Sequence, residues 1–205
     1  MLIAAVDVGS PKNIGWAIHD GPTGCGNLDL LVAEIAQALK ASEPVSLGFE
    51  APLWVPRKRA FHRMTANRGG IEARMSRPWS AGAGCGALAA GVANVAWVFE
   101  ALNEILGAIR CTTIPSLFSS GEAELLVWEA FVSGNLKALT HEGDAELAVH
   151  AFVTAWPNLI SSIPDEPSIN LAASTILATG HSILLDELGR AGVVVAALDT
   201  LMKVD

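Results

Sequence analysis

Residues 2–10 read Leu2-Ile3-Ala4-Ala5-Val6-Asp7-Val8-Gly9-Ser10, and residues 14–18 read Ile14-Gly15-Trp16-Ala17-Ile18. Leu2 to Val6 is a short apolar run that ends on a carboxylate, the pattern of a strand buried on both faces. Gly9-Ser10-Pro11-Lys12-Asn13 supplies a turn, so Ile14–Ile18 is predicted as a second strand paired with the first in a hairpin. Gly21-Pro22-Thr23-Gly24 makes another turn, beyond which no third strand is clear. Outward from there, Leu28, Leu31, Ile35 and Leu39 recur at helical spacing, and the helix ends near Ser42. Val45, Leu47 and Phe49 alternate as a strand that Pro52 stops. Further strands are predicted at Cys111–Ile114, Leu125–Phe131 and Val193–Ala197. Helices are predicted at Gly86–Gly107, Glu142–Trp156, Ile169–Ala178 and Ile183–Arg190. Strands alternating with helices predict an α/β fold: a mixed sheet with an antiparallel first hairpin and helices on both faces.

With 205 residues, 51% hydrophobic and 17% charged, the chain reads as one domain over residues 1–205 with a real core and little disorder. Cys25, Cys85 and Cys111 lie far apart without a CxxC pair. That usage suits a reducing cytoplasm and argues against a disulfide framework or a zinc site. The first apolar run lacks a basic leader and stops at Asp7, which argues against a signal peptide. Residues 81–99 carry no charge, but their Ala and Gly content, Asn94 and the following Glu100 and Glu104 favour a buried core helix over a membrane span. No membrane partner is expected, and a homodimer is left open.

Side chains alternate along a strand, so Asp7 shares a face with Ile3, Ala5 and Gly9, and Glu50 with Ser46 and Gly48. Both carboxylates stand beside small residues, which leaves space next to them. An ionised carboxylate at such a position is costly unless a cation or donors compensate it. Two acids from neighbouring strands offer hard oxygen ligands for Mg²⁺ or Mn²⁺. Asp144 supplies a third acid from a helix, three residues after His141 and so on the same helical face. Blander readings stay open: an Asx turn at Asp7, a strand-end charge at Glu50 and a first-turn helix acid at Asp144.

Ala5-Val6-Asp7-Val8-Gly9-Ser10 with Gly15-Trp16-Ala17 resembles the first hairpin of RuvC-like members of the RNase H superfamily. His141-Glu142-Gly143-Asp144-Ala145 resembles the start of their last catalytic helix. Gly48-Phe49-Glu50-Ala51-Pro52-Leu53 and Leu126-Val127-Trp128-Glu129-Ala130-Phe131 are similar to segments of a bacterial family of predicted RNase-H-like nucleases. The resemblance implies a nuclease that hydrolyses phosphodiesters with two divalent metals. It implies Asp7, Glu50 and Asp144 as metal ligands, His141 as a group that orients or deprotonates water, and Glu129 as a secondary candidate. A fourth acid beside Asp144 is missing, where Ala145 and Ala148 stand.

The net charge of −8 opposes non-specific binding to nucleic acid. Yet Arg57, Lys58, Arg59, Arg63, Arg68, Arg74 and Arg77 cluster, opposed only by Glu72. This basic insertion or loop at about 54–80 could hold the phosphates of DNA or RNA, with Trp54, Phe61 and Trp79 for stacking and Lys12 on the first turn. A solvated loop fits the charge pattern equally. Ser80-Ala81-Gly82-Ala83-Gly84-Cys85-Gly86 could present amides to phosphate, but it follows no strand and lacks a Gly-Lys-Ser/Thr ending, so it is no P-loop. An actin-like sugar kinase would need two domains and a longer chain. A catalytically inactive binding or assembly protein of the same fold is the remaining alternative.

Overall fold

The computed structural model describes residues 1–74, 79–132 and 136–197. Strands β1 (Leu2–Asp7), β2 (Gly15–Ile18) and β3 (Thr23–Cys25) form an antiparallel meander, with Asp7 opposite Gly15. Helix α1 (Asp29–Lys40) then crosses over to β4 (Val45–Phe49), which pairs parallel to β1 with Ala5 beside Gly48. After β5 (Trp54–Pro56), α2 (Gly70–Arg74) and α3 (Gly82–Leu106), the short β6 (Cys111–Thr112) and α4 (Pro115–Ser119) lead to β7 (Leu125–Phe131). Helix α5 (His141–Ala155), β8 (Ser168–Asn170), α6 (Leu171–Ala178) and β9 (Val194–Ala196) complete the described chain. The sheet order is β3-β2-β1-β4-β7-β6, with β9 also on β7, and β5 and β8 form a separate antiparallel pair. The fold is therefore α/β with a mixed sheet.

Each face of the sheet buries its own core. Val6, Leu47, Phe49 and Val127 meet Leu31 and Ile35 of α1, Val95 and Phe99 of α3, and Ile176 of α6. On the other face Ile3, Ala5, Ala17 and Trp128 meet Ala145, Ala148 and Phe152 of α5. Trp128 and Phe152 stack with centroids 4.8 Å apart. The alternation along β1 and β4 thus places Asp7 and Glu50 on the α5 face.

Several elements differ from the sequence expectation. Helix α3 starts a turn earlier than Gly86, because the alanines among Gly82–Gly86 favour the helix enough to carry the glycines with them. Of the run that could present amides or pack its glycines at a helix start, Gly82–Gly86 is already helical. Nor is α3 a fully buried core helix: its buried residues are Gly91, Val95, Val98, Phe99 and Leu102, and its first nine residues are not buried. The strand expected over Cys111–Ile114 stops at Thr112, since Pro115 opens α4 with Ile114 as its N-cap. Strands β3, β5 and β8 have three residues each, too few for a periodic signal. The expected loop at 54–80 contains β5, a 3-10 turn at Phe61–Arg63 and α2.

Gly15 fixes how closely α5 approaches the hairpin. A Cβ there would lie 2.2 Å from the carbonyl carbon of His141 and 2.5 Å from the amide nitrogen of Glu142, both backbone atoms that cannot rotate away. Gly15→Ala must therefore push the start of α5 off β2. Urea unfolding should show a loss of about 1–3 kcal/mol, and an unchanged midpoint would mean that α5 yields without cost.

Candidate metal centre

Asp7 ends β1, and Glu50 follows β4, its amide donating to Val6 O at 2.8 Å and so continuing the parallel register. Asp144 comes from the first turn of α5. That helix starts cleanly because Thr140 is its N-cap, accepting from the Gly143 amide at 3.1 Å. One ligand oxygen from each of Asp7, Glu50 and Asp144 lies within 4.8 Å of the others. Asp7 and Asp144 are buried, and Glu50 nearly so. Two groups on opposite sides of an octahedral Mg²⁺ stand about 4.2 Å apart, so the cluster is close to the span one ion bridges.

Each carboxylate is compensated differently. Asp7 Oδ2 accepts from His141 Nδ1–H, since an ionised carboxylate can only accept. The bond turns His141 Nε2 away from Asp7, and the ring is about half exposed. Asp144 Oδ1 accepts the Ala138 amide at 2.7 Å, and its Oδ2 meets Lys137 Nζ at 3.0 Å. Lys137 Nζ also lies 3.1 Å from Glu50 Oε1. Glu50 Oε2 is buried without a hydrogen-bond partner among the described residues. Burial pushes the Glu50 carboxyl up to about 9, with the Asp7 carboxylate adding to the rise and Lys137 opposing it. The orphaned oxygen, the all-carboxylate ligand set and the shared space suit a hard divalent cation.

Glu129, the secondary candidate, is not part of this cluster. It follows the Val127 side of β7 and so points to the opposite face of the sheet. There Arg68 Nη2 and Nη1 donate to its two oxygens at 2.6 and 2.9 Å, and the Leu53 amide adds a bond at 3.0 Å. Arg68 also pairs with Glu72, one helical turn further on, and lies over Trp54 with its charged carbon 5.2 Å from the ring centre. Burial works against the Arg68 charge, but Glu129 and Glu72 outweigh it and raise the pKa.

The basic segment therefore divides. Arg68 is fully buried and structural. Lys58 is committed to Glu166 at 2.8 and 2.5 Å rather than offered to a ligand. Arg57, Arg59, Arg63 and Lys12 are exposed. The Arg74 side chain and Arg77 lie outside the described residues. A cleft of about 170 Å³ opens between Glu50, Lys137, Arg68 and Trp79, walled by Ala83 and Ala87 of α3. A larger, apolar groove of about 600 Å³ between Ile14, Leu28 and Trp97 touches none of the acids.

No family model, curated protein or solved structure matches the chain. Sequence reasoning missed Lys137, which stands alone before the helix with no pattern to mark it. Arg68 stands before α2 (Gly70–Arg74), so neither its pairing with Glu72 nor its reach to Glu129 follows from a local pattern.

Two outcomes test these assignments. Arg68→Met strands Glu129 without a counter-charge and should cost about 3–5 kcal/mol in denaturant unfolding; a loss under 1 kcal/mol would return Arg68 to the ligand-binding set. Glu50 has a folded pKa above its ordinary value of 4.5, so the folded state holds a proton that the unfolded state gives up. Its contribution is full below pH 4.5 and is lost as pH rises towards 9. In chelator, Glu50→Gln should therefore gain about 1–3 kcal/mol over wild type at pH 8 and little at pH 4. Parallel pH profiles for the two proteins would show that Glu50 is not raised.

Proposed function

We propose that the protein is a divalent-metal-dependent nuclease of RNase-H-like type, hydrolysing phosphodiester bonds of DNA or RNA. The observation that carries this reading is the convergence of Asp7, Glu50 and Asp144 on one buried spot with Glu50 Oε2 unpartnered. The antiparallel hairpin followed by parallel strands, with the third acid from a helix, accords with the resemblance of the sequence motifs.

Asp7, Glu50 and Asp144 would hold the cation, with Mg²⁺ or Mn²⁺ matching their oxygens. A cation held there would supply Lewis-acid polarisation of the phosphodiester and a more nucleophilic water. In this reading His141 would take a proton at Nε2 while its Nδ1 is held by Asp7, a contact that orients the imidazole. The neighbouring cleft, about 170 Å³, is smaller than the roughly 300–1,000 Å³ that engulfs a small-molecule ligand. It suits a polymer that inserts one backbone group and leaves its bulk outside. Exposed Arg57, Arg59 and Arg63 offer charge for flanking phosphates.

A second reading, a catalytically inactive binding or assembly module, is favoured by one specific observation. Lys137 already pairs with Glu50 and Asp144, so the fold supplies the cluster with a counter-charge of its own. Cleavage of single-stranded, duplex and branched DNA and of RNA separates the two readings. The nuclease reading expects cleavage in Mg²⁺ or Mn²⁺ that stops in chelator and falls to that background in Asp7→Asn. His141→Ala should slow it by about 10²- to 10⁴-fold with cation affinity unchanged. A wild-type protein that binds Mn²⁺ but cuts none of these substrates supports the inactive module.

A further inference from the structure

Among the described residues, Lys137 is the only basic side chain paired with Glu50 or Asp144, and it touches both. The two acids come from different elements, one from the end of β4 and one from α5, so the ammonium sits between them rather than beside one. Its contacts of 3.1 and 3.0 Å are the spacing of an ammonium; Mg²⁺ draws oxygens to about 2.1 Å. We propose that Lys137 is the resident counter-ion of the acidic centre, and that a divalent cation binds by exchange with its ammonium. This rests on the metal-centre reading given above.

Three features make the exchange feasible. Lys137 is 40% exposed and lines the cleft, so its flexible stem can carry the charge into solvent without crossing a packed core. Arg68 shows the contrasting case: its side chain is 1% exposed and clamped by two acids. Next, one ammonium leaves the demand of the site unmet, because Glu50 Oε2 has no donor among the described residues. Finally, replacing an ammonium by a monovalent ion adds no charge to the three carboxylates, whereas a divalent ion adds one. The exchange thus selects divalent cations over Na⁺ and K⁺ and sets a threshold concentration for occupancy.

The test is calorimetric titration of Mn²⁺ into chelator-stripped full-length protein, wild type against Lys137→Met, which keeps the stem and removes the charge. The variant should bind about tenfold more tightly, as expected when a competing ion pair is lost. Equal or weaker binding by the variant overturns the exchange while leaving the metal centre standing. Absence of Mn²⁺ binding in both proteins removes the metal centre and the exchange together. Should metal-free Lys137→Met fail to fold, brief acetylation of the intact wild type decides the matter. With Mn²⁺ bound, Lys137 should be modified faster, because its ammonium has left the carboxylates; an unchanged or slower rate overturns the proposal.

Discussion

The parallel register of β1 against β4 puts two carboxylates on one face at one level of the sheet, and much of the local structure answers that constraint. Ala5 lies beside Gly48, so Asp7 and Glu50, each two residues further on, emerge together on the α5 side. The helix then adds Asp144 to the same spot. Two unit charges within 4.8 Å of one another repel by at least about 3.5 kcal/mol at an effective dielectric of 20. The fold offsets this through groups at or just before the start of α5: the Ala138 amide, the His141 ring and the Lys137 ammonium. All depend on α5 seating closely on β2, which the missing side chain of Gly15 permits.

The same sheet answers a second buried acid in another way. Glu129 faces away from α5 and receives a two-pronged guanidinium and a backbone amide. That clamp draws residue 68 of the basic segment through to the core, with Glu72 alongside. The segment is therefore both a structural strap and a surface carrying exposed arginines. A planar, permanently charged guanidinium suits the first task, because it fits both oxygens and holds them. The acidic cluster instead uses a lysine, whose single point of charge holds less rigidly.

The fold was legible where burial imposes a period. Leu2–Val6, Val45–Phe49 and Leu125–Phe131 are apolar runs that became the three central strands, and the spacing of Leu31 and Ile35 marked the inner face of α1. Edge strand β3 was invisible because its residues are mostly exposed, so no alternation is imposed. Strands β5 and β8 exist through their pairing with one another across more than a hundred residues, which no local pattern encodes. Within the site, Asp7, Glu50 and Asp144 could be brought together on paper because strand parity and helix spacing fix their faces. Lys137 could not, since it belongs to neither kind of element. Glu129 misled for the opposite reason: it is an acid in a central strand, but one residue out of phase with Trp128 and so on the other face.

How the fold treats its other buried acids bears on why the cluster exists. Glu187 is fully buried and accepts from the Thr112 and Thr113 hydroxyls and the Thr113 amide, leaving both oxygens satisfied. Glu129 is satisfied as completely by Arg68 and Leu53. Both acids serve the packing around them and need nothing further. Glu50 is less deeply buried, at 11% exposed, yet has one oxygen with no partner among the described residues and two other acids beside it. A buried unpaired polar atom costs about 1–3 kcal/mol, and well-packed apolar side chains commonly replace buried charge at no loss. For stability alone, an apolar residue at position 50 would serve better. The cost is intelligible if the third partner of these carboxylates is a cation that the chain itself does not encode.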